Sequence, residues 1–499
     1  MVKYKLEHEI DDVLLAGTEA YDRIQRLRQR VVNVKPEICL ERALIVTDFY
    51  KNNEHLPVMM KRAKVFYEIL DKMSLFILDD ELVVGHQSSK HRSAPLFPEF
   101  AVDWVDREIE TFPTRDQDKF LISEEEIKTY REKVVPYWRG KTFHDQLMTY
   151  LTEDVKLLRF DAGLFSVGLH EDGGLGHVLM DYEKVLKYGL KGIKEQAQKY
   201  RAELVDWQGS SIDKKLFYDA VEVVCDAAIN YAHRYAALAR DMAAKTADAK
   251  RREELLRIAA NCDRVPEYPV ENFYEALQSF WIIQVTTQIY DNGVSISPGR
   301  FDQYMYPYYE KDILEGALSR AQAQELLESM WVKFTEPIKV YCAVDAAFHA
   351  GFPMGQNLCV SGIRPDGLDG TNDLSYRCLE AHSHILMMQP NFSARVHSNS
   401  KPEFINRVCR AIRLGNGMPQ IVNDNTYIPA MMNLGVPFDQ ARDYVPVGCV
   451  EISPKHAWTR ANGGYYNLSK VVELTLNNGR CGISNKQVSI QLPSCCRGR

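Results

Sequence analysis

A chain of 499 residues, 45% hydrophobic and 26% charged, can bury a very large core, and this balance excludes a disordered or fibrous protein. Its formal net charge of −7 lacks the basic footprint of a nucleic-acid binder, which leaves small-molecule chemistry as the default. No apolar run reaches the ~18 residues of a membrane span, and the N-terminus has early acids and no apolar stretch, unlike a signal peptide, so a cytoplasmic location is expected.

The first third reads mainly helical: 15–32, 38–50 and 58–73 carry apolar positions at helical spacing. Residues 79–85 predict a turn and a short strand, and 86–118, rich in Pro and polar turn formers, a long ordered loop. Helical patterns resume at 124–138 and 142–160, followed by a glycine-rich stretch at 168–176. Residues 181–205 and 214–262 are helical again. The aromatic-rich segment 270–290 predicts an amphipathic core helix that runs into the turn Asp291-Asn292-Gly293 and an extended stretch at 294–300. Ser319 is a plausible N-cap for a helix to about Phe334. Beyond it, 356–363, 391–397 and 420–422 read extended, and 401–414 and 437–444 helical. Short strands interleaved with helices predict an α/β barrel-type domain. Residues 1–487 read as one body, while 488–499 break the pattern and read as an unstructured or out-of-register tail.

Eleven cysteines, an odd number scattered singly, argue against a disulfide framework. No Cys-x-x-Cys pair is present, and His349, His456 and the pair His382/His384 form no ligand pattern, so no metal site is expected. Most cysteines read as apolar filler, Cys225 and Cys409 among them. Cys449 stands apart. Gly448 allows close backbone approach, and Pro446 and Pro454 are expected to stop regular structure, which puts Cys449 at the tip of a rigid loop. Glu451, two residues on, projects to the same side of an extended chain. The thiol can serve as nucleophile or hydrogen-atom carrier, and the carboxylate as base. Four residues alone fit a packed cysteine beside a solvated glutamate better than a catalytic pair.

The surrounding sequence adds weight. Glu41-Arg42-Ala43, Asp80-Glu81-Leu82-Val83-Val84-Gly85, Gly176-His177 and Ser297-Pro298-Gly299-Arg300-Phe301-Asp302-Gln303-Tyr304 occur in order. They are followed by Gln389-Pro390-Asn391, Asn423-Asp424, Gly448-Cys449-Val450-Glu451 and Asn467-Leu468-Ser469-Lys470. From about Cys39 to Val488 the chain resembles the pyruvate formate-lyase-like superfamily of glycyl radical enzymes. The resemblance implies an α/β barrel with a finger-loop cysteine, surrounded by helices. It implies that Cys449 becomes a thiyl radical that takes a hydrogen atom from substrate. It also implies that Glu451 is the general base in members that eliminate water, an amine or sulfite. His177 and Ser295 lie where diol dehydratases of the family bind substrate, and Asn462 falls near their substrate-binding aspartate. Val294 stands where glycerol and propanediol dehydratases carry histidine, so a different small polar substrate is expected. True pyruvate formate-lyases carry two adjacent cysteines at the loop tip; here Cys449 has Gly448 and Val450 beside it. Elimination, of the dehydratase or C–N/C–S lyase type, is therefore favoured over acyl transfer, with a formate C-acetyltransferase-like enzyme as the alternative.

The family's radical sits on a glycine in an Arg-Val-x-Gly-Tyr loop of a C-terminal domain, installed by a radical S-adenosylmethionine activating enzyme under anaerobic conditions. No such string occurs in these 499 residues. The expectation is a barrel incomplete at its C-terminus, without the glycine radical domain, with no directly bound cofactor, inactive alone and able to form a homodimer. A non-catalytic subunit that pairs with a radical domain in trans is the other reading. A thiol hydrolase lacks a convincing histidine partner for Cys449.

Overall fold

The computed structural model describes residues 15–166, 173–205, 209–455 and 464–488. The N-terminal layer opens with α1 (Glu19–Asn33), whose first turn is capped by the Thr18 side chain. It continues through β1 (Glu37–Cys39), α2 (Glu41–Asn52), α3 (Val58–Lys72), β2 (Ser93–Pro95) and α4 (Asp103–Glu108). The expected long loop at 86–118 therefore holds structure: β2 pairs in parallel with β1, and α4 follows. The expected strand at 79–85 is absent. Val84 instead exchanges both backbone hydrogen bonds with the Gln278 side-chain amide, at 3.0 and 2.8 Å, so a side chain replaces the neighbouring strand.

A Ser123/Glu126 capping box starts α5 (Glu124–Thr129), which passes through one π-helical turn into α6 (Val135–Trp138). Residues 142–160 split into α7 (Phe143–Tyr150) and α8 (Glu153–Lys156), because Thr152 caps a second start; β3 (Phe165–Ser166) follows. Next come α9 (Tyr182–Ala202), α10 (Ser211–Lys245) and α11 (Ala249–Arg264), the last two separated where the Asp248 side chain caps anew. The helix α12 (Phe273–Tyr290) differs from its expected amphipathic form, being buried on nearly every face. Its glutamines are tolerated there because they are satisfied: Gln284, for example, donates to Ile296 O at 2.9 Å.

The last half alternates: β4 (Gly299–Arg300), α13 (Phe301–Leu314), α14 (Arg320–Lys333), α15 (Ala343–Phe348), β5 (Asn357–Ser361), α16 (Asp373–Ile385), β6 (Asn391–Val396), α17 (Pro402–Ile412), β7 (Gln420–Asn423), α18 (Asp424–Asn433) and α19 (Phe438–Arg442). Strands β4-β5-β6-β7 form one parallel sheet in sequence order, as crossover helices require. β5 is buried along its whole length, which explains its unbroken Asn-Leu-Cys-Val-Ser run instead of an alternating pattern. Then come β8 (Tyr444–Val447), β9 (Glu451–Pro454), β10 (Tyr465–Tyr466) and α20 (Leu468–Leu476). The tail beyond 488 lies outside the described residues.

Candidate active site at the hairpin tip

Strands β8 and β9 pair antiparallel, with Val447 opposite Glu451, so residues 448–450 form a three-residue hairpin loop. The two prolines expected to stop regular structure lie inside these strands instead. A two-stranded ribbon leaves one side of each strand unpaired, and a proline costs no ladder bond there.

The hairpin crosses the parallel sheet from end to end. At its base, the buried Arg395 guanidinium pairs with Asp424 at 2.7 Å and donates to Tyr444 O at 2.8 Å. Tyr444 returns its hydroxyl to Asp424 at 2.6 Å, and Arg300 holds Asp443 at 2.9 Å. At its tip, Gly448 N–H donates to Ser297 Oγ at 2.9 Å, and Asn357 Nδ2 donates to Gly448 O at 3.0 Å. Asn357 and Asn391 are the first residues of β5 and β6, so the tip lies at the N-terminal edge of the sheet. Gly448 has φ +68, and a Cβ there would lie 2.6 Å from Ser295 Oγ and 3.0 Å from Glu451 Oε2. Only glycine lets the loop come this close.

Cys449, Glu451, His177 and Ser295 line one cavity of about 70 Å³, together with Val294, His349, Asn391 and Tyr465. Four of the five site residues expected from sequence are thus brought together; Asn462, like His456, lies outside the described residues. His177 and Ser295 are buried, and both have φ in the left-handed region, at +48 and +70. His177 Nε2 lies 3.3 Å from Glu451 Oε1, and Val450 N–H donates to Glu451 Oε2 at 2.9 Å. Burial opposes ionisation of Glu451, but the His177 hydrogen bond and then the backbone N–H groups of Val450 and Glu451 outweigh it and hold the carboxyl at about 2. Cys449 moves the other way: the residue is exposed at the loop tip, but partial desolvation of its thiol, and then the Glu451 charge, push it up from the ordinary cysteine value. It stays a thiol at neutral pH.

His349, Asn391 and Tyr465 had no site signal in sequence, because elements far apart in the chain deliver them: the end of α15, the start of β6 and β10. Asn391 alone fell in a motif, Gln389-Pro390-Asn391. His382 and His384 belong elsewhere, with His384 on Glu328 at 2.6 Å and His382 on Asn416 at 2.8 Å. Among the described residues one group has metal-like spacing, the buried Glu81, His86 and Glu336. The Lys333 ammonium already reaches both carboxylates, at 2.5 and 2.9 Å, so the cluster is internally charge-paired. No helix among the described residues is long and apolar enough to cross a membrane.

A family model described as "Pyruvate formate lyase-like" matches residues 17–495. Isethionate sulfite-lyase of Oleidesulfovibrio alaskensis is 36% identical over 483 residues, covering 93% of this chain and 58% of that protein. A solved structure from work on 1,2-propanediol dehydration in Roseburia inulinivorans has a TM-score of 0.91 at 40% identity, covering 94% of this chain and 59% of that one. A glycyl radical enzyme from Archaeoglobus fulgidus has a TM-score of 0.87 at 31% identity, with coverages of 92% and 59%. The chain spans about three-fifths of the length of the relatives it matches.

Proposed function

Because the chain belongs to the pyruvate formate lyase-like family, whose α/β barrel it shares, we propose that Cys449 and Glu451 carry out a radical elimination on a small polar substrate. One observation carries this reading: a cysteine kept as a thiol shares a cavity with a carboxylate kept ionised. A nucleophilic cysteine needs the opposite, a depressed pKa and a base on its sulfur. A hydrogen-atom carrier needs the S–H bond intact.

The glycyl radical of this family, installed by a radical S-adenosylmethionine activating enzyme, supplies the unpaired electron. Cys449 would give its Sγ hydrogen atom to that radical, and it then takes a hydrogen atom from the substrate carbon that bears a hydroxyl. Glu451 accepts the hydroxyl proton; a hydroxyl on a radical carbon is far more acidic than an ordinary alcohol, so a weak base suffices. The bond from the neighbouring carbon to its leaving group breaks, and water, an amine or sulfite departs with the electron pair and the proton Glu451 took. The carbonyl-conjugated radical left behind recovers its hydrogen atom from Cys449. His177 and Ser295 bind the substrate's polar groups, and Asn462 is assigned the same role from the resemblance alone. The expected setting is the cytoplasm of an anaerobic cell, with a homodimer as the assembly and residues 1–487 as one catalytic domain.

The test is anaerobic activation with a radical-bearing domain of this family supplied in trans, followed by incubation with 1,2-propanediol, isethionate, an amino alcohol and trans-4-hydroxy-L-proline. Release of an elimination product from one of them is expected. Acetyl-coenzyme A formed from pyruvate, with no elimination, would support the acetyltransferase reading instead. A second reading, a subunit that pairs with a radical-bearing chain, is supported by α20. Its Leu468, Val472 and Leu476 form a helical stripe exposed at 71, 58 and 79%.

A further inference from the structure

Lys339 is 1% exposed, and among the described residues no carboxylate lies within ion-pair distance of it. Its Nζ donates instead to two backbone carbonyls, Asp291 O and Gly293 O, each at 2.5 Å. These carbonyls belong to the turn that ends α12. Arg42 serves the same helix end one step earlier, donating to Ile289 O at 2.8 Å. Cations are favoured there, because the last carbonyls of a helix carry its negative pole. Burial pulls the Lys339 ammonium down to about 7, partly opposed by Asp291 and reinforced by Arg42. A lysine this costly to bury does something an apolar side chain cannot, namely satisfy two inward-facing acceptors.

The clamped turn is the floor under the His177 segment. Gly293 and Gly176 touch through their backbones: a Cβ on Gly293 would lie 2.1 Å from Gly176 N, and one on Gly176 would lie 2.1 Å from Val294 O. A short ladder then ties the segments together. His177 N–H donates to Val294 O at 2.7 Å, Val178 N–H to Ser295 O at 3.2 Å, and Ser297 N–H to Val178 O at 2.9 Å. His177 holds its left-handed φ because both of its neighbours are fixed this way.

We propose that Lys339 is a positioning residue for the active site, clamping the 291–293 turn so that the His177 imidazole is held against Glu451. Lys339 does not line the cavity and acts only through the backbone. The inference concerns the resting geometry, so its test needs no radical and no substrate, and it stands or falls apart from the elimination reading.

The experiment uses the 499-residue chain labelled with 15N-histidine, with the His177 ring signals identified by their loss in His177→Gln. Glu451→Gln removes the partner at 3.3 Å and shifts those signals. In Lys339→Met the response to Glu451→Gln is expected to fall about threefold or more, the mark of a lost coupling. Arg42→Met, which removes the cation from the adjacent carbonyl, leaves the response at its original size. Lys339→Gln keeps one donor and covers the case in which methionine is not tolerated; there the response is reduced. A full response in either folded Lys339 variant overturns the proposal. So does an equal loss in Arg42→Met, which would mark general loosening, or a His177 signal indifferent to Glu451→Gln in the parent chain.

Discussion

Glu451 and Cys449 are two residues apart, and their protons behave in opposite ways. The carboxyl, held down from 4.5 to about 2 against burial by the His177 hydrogen bond, links stability to pH. The unfolded chain binds this proton at the higher pKa, so the stabilisation is present above 4.5 and is lost as pH falls through about 2. The stability advantage of the parent chain over Glu451→Gln should therefore shrink as pH falls from 4.5 towards about 2 in urea denaturation. The thiol, raised by burial and by the Glu451 charge, predicts slow alkylation at neutral pH. Peptide-resolved iodoacetamide labelling should give a midpoint above 9.0 for Cys449, and Glu451→Gln should lower it by removing the charge repulsion. The pairing of Cys449 with Glu451 was legible in sequence. The opposed pKa shifts were not, because they depend on His177, which arrives from 274 positions earlier in the chain.

The element that matters most is the β8–β9 hairpin. It was expected as a proline-bounded loop, and local rules justified that reading: proline is usually excluded from strands. They fail here because the ribbon has only two strands. The hairpin is placed by its base, where Arg395 and Asp424, both fully buried, form a charge pair with Tyr444. Removing one partner strands the other charge in the interior. Arg395→Met should cost about 3–5 kcal/mol in urea denaturation, with hydrogen exchange accelerated along β8. Arg395→Met combined with Asp424→Leu should cost less than the single change, because the stranded carboxylate is gone. Neither residue drew attention in sequence, although Asn423-Asp424 lay in a matched motif. A buried pair 29 residues apart has no local pattern.

At the scale of the molecule, most helices from α1 to α11 follow from periodicity, and the strands β5, β6 and β7 from short extended runs between helices. The helices α13, α16 and α18 were missed because each is buried on several faces or broken by proline, as at Pro307 and Pro429, which erases the amphipathic signal. The large core around α12 accounts for its apolar run, and Trp281→Ala, at a site with 0% exposure, should cost about 3–5 kcal/mol in denaturation. The exposed stripe on α20 belongs to a different balance. Replacing Leu468, Val472 and Leu476 with glutamine should leave the melting temperature nearly unchanged and reduce self-association or co-sedimentation with a partner chain. The central claim is that Cys449 carries a hydrogen atom between a protein radical and the substrate. It is tested most directly by electron paramagnetic resonance of protein activated anaerobically with a radical-bearing domain of this family supplied in trans, parent chain against Cys449→Ser, with product measured in the same samples. The account predicts that any radical signal formed persists in Cys449→Ser while elimination product disappears; product formation at the parent rate in Cys449→Ser would contradict it.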